Sequence, residues 1–241
     1  MCQKLNNWYI PFLISYHIRL SLYPFKLYKM NLSGIDTLIW DWNGTLLDDV
    51  DVNVRVINEM LLKRDLPQLD LNTYKELFCF PVKQFHRQIG IDFEKESIEE
   101  VSAEYMERYK SYEKEIKLHM DVPFILDTVN SLGINQYILS AAGKNDLLRM
   151  LDHFRLAGKF KGIYGSGDIC ATGKVGIGQK LLKDNFLNPD KALIIGDTLH
   201  DAEVANALGV NCVLFAGGHN SHNLLIEKAE VITDLKDIIQ E

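Results

Sequence analysis

No two cysteines in this chain stand at Cys-x-x-Cys spacing. Cys2, Cys79, Cys170 and Cys212 are scattered. The pattern fits reduced thiols in a cytoplasmic protein better than a disulfide framework. Positive charge is also scarce: the net charge of -7 argues against a nucleic-acid partner, which calls for a basic face. A long apolar run is missing too. The aromatic stretch from Trp8 to Phe25 is broken by Pro11, His17, Arg19 and Pro24, poor material for a membrane span. No small-residue cleavage site of the signal-peptide kind comes after it. The seven histidines show no metal-ligand spacing, and there is no internal repeat or low-complexity segment.

Acid is absent from residues 1–29, which carry Lys4, Arg19, Lys26 and Lys29, so the remainder bears -11 against -7 for the whole chain. This atypical leader differs in kind from the other residues. Met30-Asn31-Leu32 lies just ahead of the first strand and is the expected native start, with a membrane-surface anchor as the rival interpretation of the leader.

Apolar residues make up 47% of the chain, enough for one substantial core and a smaller insert. Strand-like runs Thr37–Trp40, Gln136–Leu139, Gly162–Tyr164, Ala192–Ile195, Cys212–Phe215 and Val231–Thr233 alternate with helical patterns. That alternation predicts an α/β fold with a Rossmann-like parallel sheet covered on both faces. Residues 49–119 break the alternation with helices alone. Asn53 is the expected cap of the first, Pro81 the start of another, and Ser97 with Glu100 a capping box for a third. The expected division is a core over 30–48 and 120–241 and an all-helical cap over 49–119. Asp121-Val122-Pro123 is expected to open the helix that resumes the core.

Two acidic strings carry the chemistry. Asp41-Trp42-Asn43-Gly44-Thr45 comes after the first strand, and Gly196-Asp197-Thr198-Leu199-His200-Asp201 after a later one. In an open α/β sheet, ligands bind at the carboxyl ends of the strands. Carboxylates gathered there repel unless a cation neutralises them, and hard divalent cations with oxygen ligands do so. A Mg2+ site is therefore expected. Gly217, Gly218 and His219 succeed another strand and are expected to shape the rim.

These strings, in this order, resemble the first and fourth motifs of the haloacid dehalogenase superfamily, closest to its phosphoglycolate-phosphatase-like branch with a helical C1-type cap. The resemblance implies a Ser or Thr ending a strand, met by Ser140, and a Lys opening a helix, met by Gly173-Lys174, although Val175 stands where the family usually has Pro. It implies a magnesium-dependent phosphatase acting on a small phosphorylated metabolite. Asp41 would be the nucleophile, Lys174 would balance charge and hold the phosphoryl group with Ser140 and Ala141, and Thr45 would steady the Asp41 loop and adjoin the phosphate. Asp41, the carbonyl of Asn43, Asp197 and Asp201 would hold the metal or its water. The stretch around Pro81 resembles the family's specificity loop, so Lys83 and either Arg55 or Arg87 are candidates for meeting an anionic group on the substrate.

One departure matters most. The first motif normally places an acid-base Asp where this chain has Asn43, and an amide exchanges no proton at neutral pH. Positioned acid-base catalysis contributes typically about 10²- to 10⁴-fold. A slow or selective phosphatase is one outcome, a non-catalytic phosphate or metabolite binder another, and a phosphonate C–P hydrolase with a cap lysine a third. Asn43-Gly44 is also a deamidation sequence, which would create the missing acid.

Overall fold

The structure is a computed structural model and describes residues 32–167 and 174–239. The leader, the expected start at Met30, Cys2, Cys170 and Gly173 lie outside the described residues. The strands are β1 (Thr37–Trp40), β2 (Leu47–Asp48), β3 (Lys117–Leu118), β4 (Asn135–Gly143), β5 (Gly162–Ser166), β6 (Ala192–Gly196), β7 (Asn211–Phe215) and β8 (Glu230–Ile232). Six of them form one parallel sheet in the order β5-β4-β1-β6-β7-β8.

All four residues of β1 are buried, as a central parallel strand requires. Its side chains alternate between faces. Leu38 and Trp40 join Ile138 and Ile195 on one side, and Ile39 joins Leu139 and Ile194 on the other. The inserted helices are α1 (Val50–Lys63), α2 (Leu71–Leu77), α3 (Val82–Gln88) and α4 (Ile98–Ser111). Those of the alternating part are α5 (Val122–Ser131), α6 (Lys144–His153), α7 (Val175–Asp184) and α8 (Leu199–Leu208). Buried residues of α5 and α6 pack on the first face, and those of α7 and α8 on the second. Both faces are thus covered.

Helices α1 to α4 leave the sheet after β2 and return at β3, and these two short strands pair antiparallel through Leu47 with Leu118 and Asp48 with Lys117. The ends of the helical segment are therefore held together beside the sheet. Ser97 and Glu100 form the expected capping box of α4. Asn53, expected as a cap, instead lies inside α1, which starts at Val50 because Val50 and Val52 are themselves buried. Its amide donates to the Asp49 carbonyl at 2.9 Å and to the Asp49 carboxylate at 2.9 Å. Asp121 precedes α5 in a left-handed conformation without a capping hydrogen bond, its carboxylate 3.0 Å from the Lys236 ammonium. Among the described residues no helix is long and apolar enough to cross a membrane.

Candidate active site

The chain leaves β1 and builds one half of the sheet through β4 and β5, then the other through β6, β7 and β8. The crevice at such a switch point is where open α/β sheets bind ligands. Asp41 succeeds β1, Ser140 lies in β4 and Asp197 succeeds β6, so three candidate residues far apart in sequence meet at one edge. The Asp41 N–H donates to the Ile195 carbonyl at 2.8 Å, which carries the ladder one residue past the strand and fixes where the carboxylate begins.

Asp41, Asp197 and Asp201 are buried, with one carboxylate oxygen from each within 4.8 Å of the others. Asp201 is held by α8, whose capping box pairs it with Thr198: its Oδ2 accepts from the Thr198 hydroxyl at 2.6 Å and the Thr198 N–H at 3.0 Å. Lys174, also buried, reaches from the start of α7 to within 2.8 Å of Asp41 Oδ1 and 2.6 Å of Asp201 Oδ1. Burial and the neighbouring carboxylates raise the Asp41 pKa against the pull of Lys174. Burial likewise raises Asp197. Burial acts the same way on Asp201, but the Lys174 charge and hydrogen bond overcome it and hold that group below the usual range.

Three carboxylates against one lysine leave negative charge in excess. An oxygen-only donor set of this kind suits a hard divalent cation such as Mg2+, so the residues fit the expected metal. Removal of Lys174 should be costly, because it leaves buried carboxylates without a counter-charge. Lys174→Met is expected to lose about 3 to 5 kcal/mol in urea unfolding without metal, part of it recovered by added magnesium. A loss below about 1 kcal/mol would mean that the lysine is not the counter-charge it is taken for.

The loop after Asp41 is shaped by contact with Asp197. Thr45 is wholly buried and donates its hydroxyl to Asp197 Oδ1 at 2.7 Å, so it ties the two acidic strings together. Gly44 has φ +75°, and a Cβ there would lie 2.2 Å from Asp197 Oδ2. Gly218 approaches from the other side, where a Cβ would lie 2.1 Å from the same oxygen. Only glycine meets both demands at Gly44.

Asn43 is pinned. Its amide donates to Asp49 Oδ2 at 2.7 Å and to the Tyr109 hydroxyl at 3.1 Å. Asp49 accepts in addition from the Gly44 N–H at 2.9 Å and from Tyr109 at 2.7 Å. Burial alone would raise its pKa, yet His219, Asn43 and Tyr109 together hold it low. Deamidation needs the Gly44 nitrogen to swing onto the Asn43 side chain. That nitrogen donates to Leu47 O at 2.9 Å as well as to Asp49, so the folded loop works against the reaction.

Ser140 is buried, and its Oγ accepts from the Ala142 N–H at 3.0 Å. Ser140 and Ala141 line the same cavity as Asp41, Asn43 and Lys174. The specificity candidates stand apart from it. Arg55 pairs with Glu115 at 2.8 Å and lies over the Tyr112 ring at 4.8 Å, while Lys83 lies over the Phe93 ring at 5.2 Å. Pro81 is exposed between Phe80 and Val82, which do line the cavity.

The family model of the haloacid dehalogenase-like hydrolases matches residues 38–215, a span that includes both acidic strings, Ser140 and Lys174. The chain belongs to that family. It is 24% identical over 215 residues to phosphoglycolate phosphatase 1 of Pseudomonas aeruginosa, covering 84% of this chain and 78% of that protein. It is 28% identical over 193 residues to a 5'-nucleotidase of the same organism, covering 78% and 86% respectively. In fold it is similar to a haloacid dehalogenase-like family hydrolase from Streptococcus pneumoniae, with a TM-score of 0.67 at 20% identity over 86% of this chain and 98% of the other.

This haloacid dehalogenase-like hydrolase also holds residues at the site that sequence patterns miss. The sequence puts His219 only at the rim, yet it is buried in the site. Its N–H donates to Asp197 Oδ2 at 2.6 Å, its Nδ1 shares a hydrogen bond with the Tyr74 hydroxyl at 2.9 Å, and its Nε2 lies 3.4 Å from Asp49 Oδ1. Burial would lower the His219 pKa, but Asp49, Asp197 and Asp41 raise it. A histidine that meets partners from three distant segments leaves no spacing signal.

Farther up the same cavity, burial, reinforced by Arg64, pushes His86 down to about 4 from 6.5. Between those values the unfolded hydrolase binds a proton that the folded one does not, so stability is full above the upper value and falls as pH drops through the window. The expected loss is about 3 kcal/mol by pH 4. Urea unfolding at pH 7 and pH 4.5 should show a steeper decline for the parent than for His86→Phe, and equal declines would place His86 in water.

Proposed function

We propose that the chain, a phosphatase of the haloacid dehalogenase-like hydrolases, hydrolyses a small phosphorylated metabolite with Mg2+ through an aspartyl-phosphate intermediate. The observation that carries this reading is the buried cluster of Asp41, Asp197 and Asp201 with Lys174 set between two of them.

Asp41 is the nucleophile, its carboxylate attacking phosphorus as other enzymic carboxylates do. Asp41, Asp197 and the Asn43 carbonyl would hold the metal, and Asp201 would orient Lys174 and hold metal-bound water. When bound, Mg2+ supplies charge neutralisation for the phosphoryl oxygens and for the crowded carboxylates. Lys174, the Ser140 hydroxyl and the amide of Ala141 receive the phosphoryl oxygens, aimed at charge that grows in the transition state. Thr45 acts on this arrangement through Asp197, by holding the loop that carries Asp41. The helices over 49–119 act as a cap that covers the site and supplies the walls around the substrate.

Asn43 favours a second reading, a phosphate or metabolite binder that does not turn over, because its amide is engaged as a donor to Asp49 and Tyr109. A phosphonate hydrolase would need a cap lysine to form an imine. Lys110 of α4 lines the cavity and is paired with Asp146 at 3.2 Å.

Phosphate release from acetyl phosphate, whose leaving group departs without a proton, separates the first two readings. The expected result is turnover that EDTA abolishes and magnesium restores, with a magnesium-dependent rise in thermal midpoint that Asp197→Asn reduces. Tight phosphate binding without turnover would establish the binder.

A further inference from the structure

The cavity above Asp41 has a volume of about 180 Å³. Its floor is polar, and its walls carry Phe78, Phe80, Phe85, Tyr105, Met106 and Leu147. The charged groups along it are already matched to one another: Lys110 to Asp146 at 3.2 Å, and Arg149 to Asp146 at 3.0 Å and to Glu113. A second anionic group on the substrate would be buried against aromatic rings at the expense of its hydration.

Two polar atoms in these walls stand without a partner among the described residues. His86 Nδ1 and Ser102 Oγ have no hydrogen bond, and their residues, 4% and 3% exposed, both line the cavity. Buried polar groups are nearly always satisfied, and both residues line the cavity, so a ligand atom that reaches either would complete it. His86 is neutral at physiological pH because burial holds it near 4, which suits an uncharged partner.

On the phosphohydrolase reading above, we propose that the substrate is the phosphate monoester of a small uncharged phenol bearing one neutral hydrogen-bonding group on its ring. The aromatic walls suit a ring, and an apolar protein cavity of about 150 Å³ accepts benzene, while Asp41, Ser140 and Lys174 line the same cavity for the phosphoryl group. The chemistry agrees independently. An Asp41 oxygen bonds to phosphorus as the phosphorus–aryloxy bond breaks, and the aryloxide leaves with the electron pair and takes its proton from solvent. Water then attacks the aspartyl phosphate, returning the Asp41 carboxylate and giving dihydrogen phosphate, which keeps both water protons. A phenol ionises at pH ~10, so its oxygen can leave without the acid that Asn43 lacks. Aromatic walls and missing acid thus select the same leaving group.

The test compares kcat/KM of the full chain with magnesium on phenyl phosphate, 4-(hydroxymethyl)phenyl phosphate, phosphoglycolate and acetyl phosphate. Both aryl esters are expected to exceed phosphoglycolate by about 100-fold, and the hydroxymethyl ester to exceed phenyl phosphate by about tenfold. Ser102→Ala should narrow the second ratio to about threefold or less while raising the thermal midpoint, since it deletes an orphaned hydroxyl. Turnover of acetyl phosphate with phosphoglycolate faster than either aryl ester would overturn the substrate class and leave the phosphohydrolase standing. If no ester turns over, the phosphohydrolase reading falls, and calorimetry with phenyl phosphate decides the ligand class. Binding tighter than that of phosphoglycolate would support it, and no binding would overturn it.

Discussion

Asp41→Asn is expected to cut magnesium-dependent phosphate release by about 10⁴-fold or more, because in the proposed mechanism no later step can proceed without the covalent intermediate. The fold should survive. Asp41 is one of three buried carboxylates within 4.8 Å, and an amide removes one unit of that repulsion while Lys174 keeps Asp201 at 2.6 Å. The thermal midpoint without metal should therefore hold or rise. Activity within about tenfold of the parent, in protein freed of contaminating phosphatase, would place the nucleophile elsewhere. Acid quench of the parent during turnover should trap phosphate on a peptide containing Asp41, a signal that the variant lacks.

The second large effect is a gain. Asn43→Asp restores an ionisable group at the position that faces the leaving oxygen in the proposed mechanism, and phosphoglycolate turnover should rise by about 10² or more. Aryl phosphate turnover should change by less than about tenfold, since that leaving group needs no proton. The gain has a structural cost. The Asn43 amide donates to Asp49 Oδ2 at 2.7 Å, so the introduced carboxyl would face another carboxylate at hydrogen-bond distance. The two should share one proton, with one pKa strongly raised and the pair titrating jointly. A protonated carboxyl held near neutral pH is what a general acid requires. Stability should fall by about 1 to 3 kcal/mol as a charge-assisted hydrogen bond is lost. An unchanged phosphoglycolate rate in folded Asn43→Asp would show that proton transfer does not limit this protein.

How far these residues can be read from the chain varies with the distance over which each makes its contacts. Strand β1 is legible because a central parallel strand is buried on both faces and appears as an unbroken apolar run. Capping of α4 is legible for a similar reason, as Ser97 and Glu100 satisfy each other within one turn. The start of α1 is not, because Asn53 has capping chemistry by composition, whereas the buried Val50 and Val52 take the helix back to Val50. The expected specificity charges meet the same limit. Arg55 and Lys83 are cations at suitable places along the chain, but Glu115 with Tyr112, and Phe93, are what they meet in space.

By itself the sequence determined the alternating α/β plan, the two acidic strings at strand ends and the substitution at Asn43, because each is a local pattern or an identity at a known place in a motif. Only the tertiary structure decided what surrounds them. It set Lys174 between Asp41 and Asp201, pinned Asn43 to Asp49 and Tyr109, brought His219 against Asp197, and lined one cavity with aromatic rings together with His86 and Ser102, whose Nδ1 and Oγ have no hydrogen bond among the described residues. These contacts join distant segments: Thr45 meets Asp197 across 152 residues, and Tyr74 meets His219 across 145. No repeat or spacing encodes a meeting of that kind. It arises because the loops after β1, β6 and β7, the start of α7 and the helices over 49–119 converge at one edge of the sheet, where burial strengthens every charge that is paired and penalises every polar atom that is not.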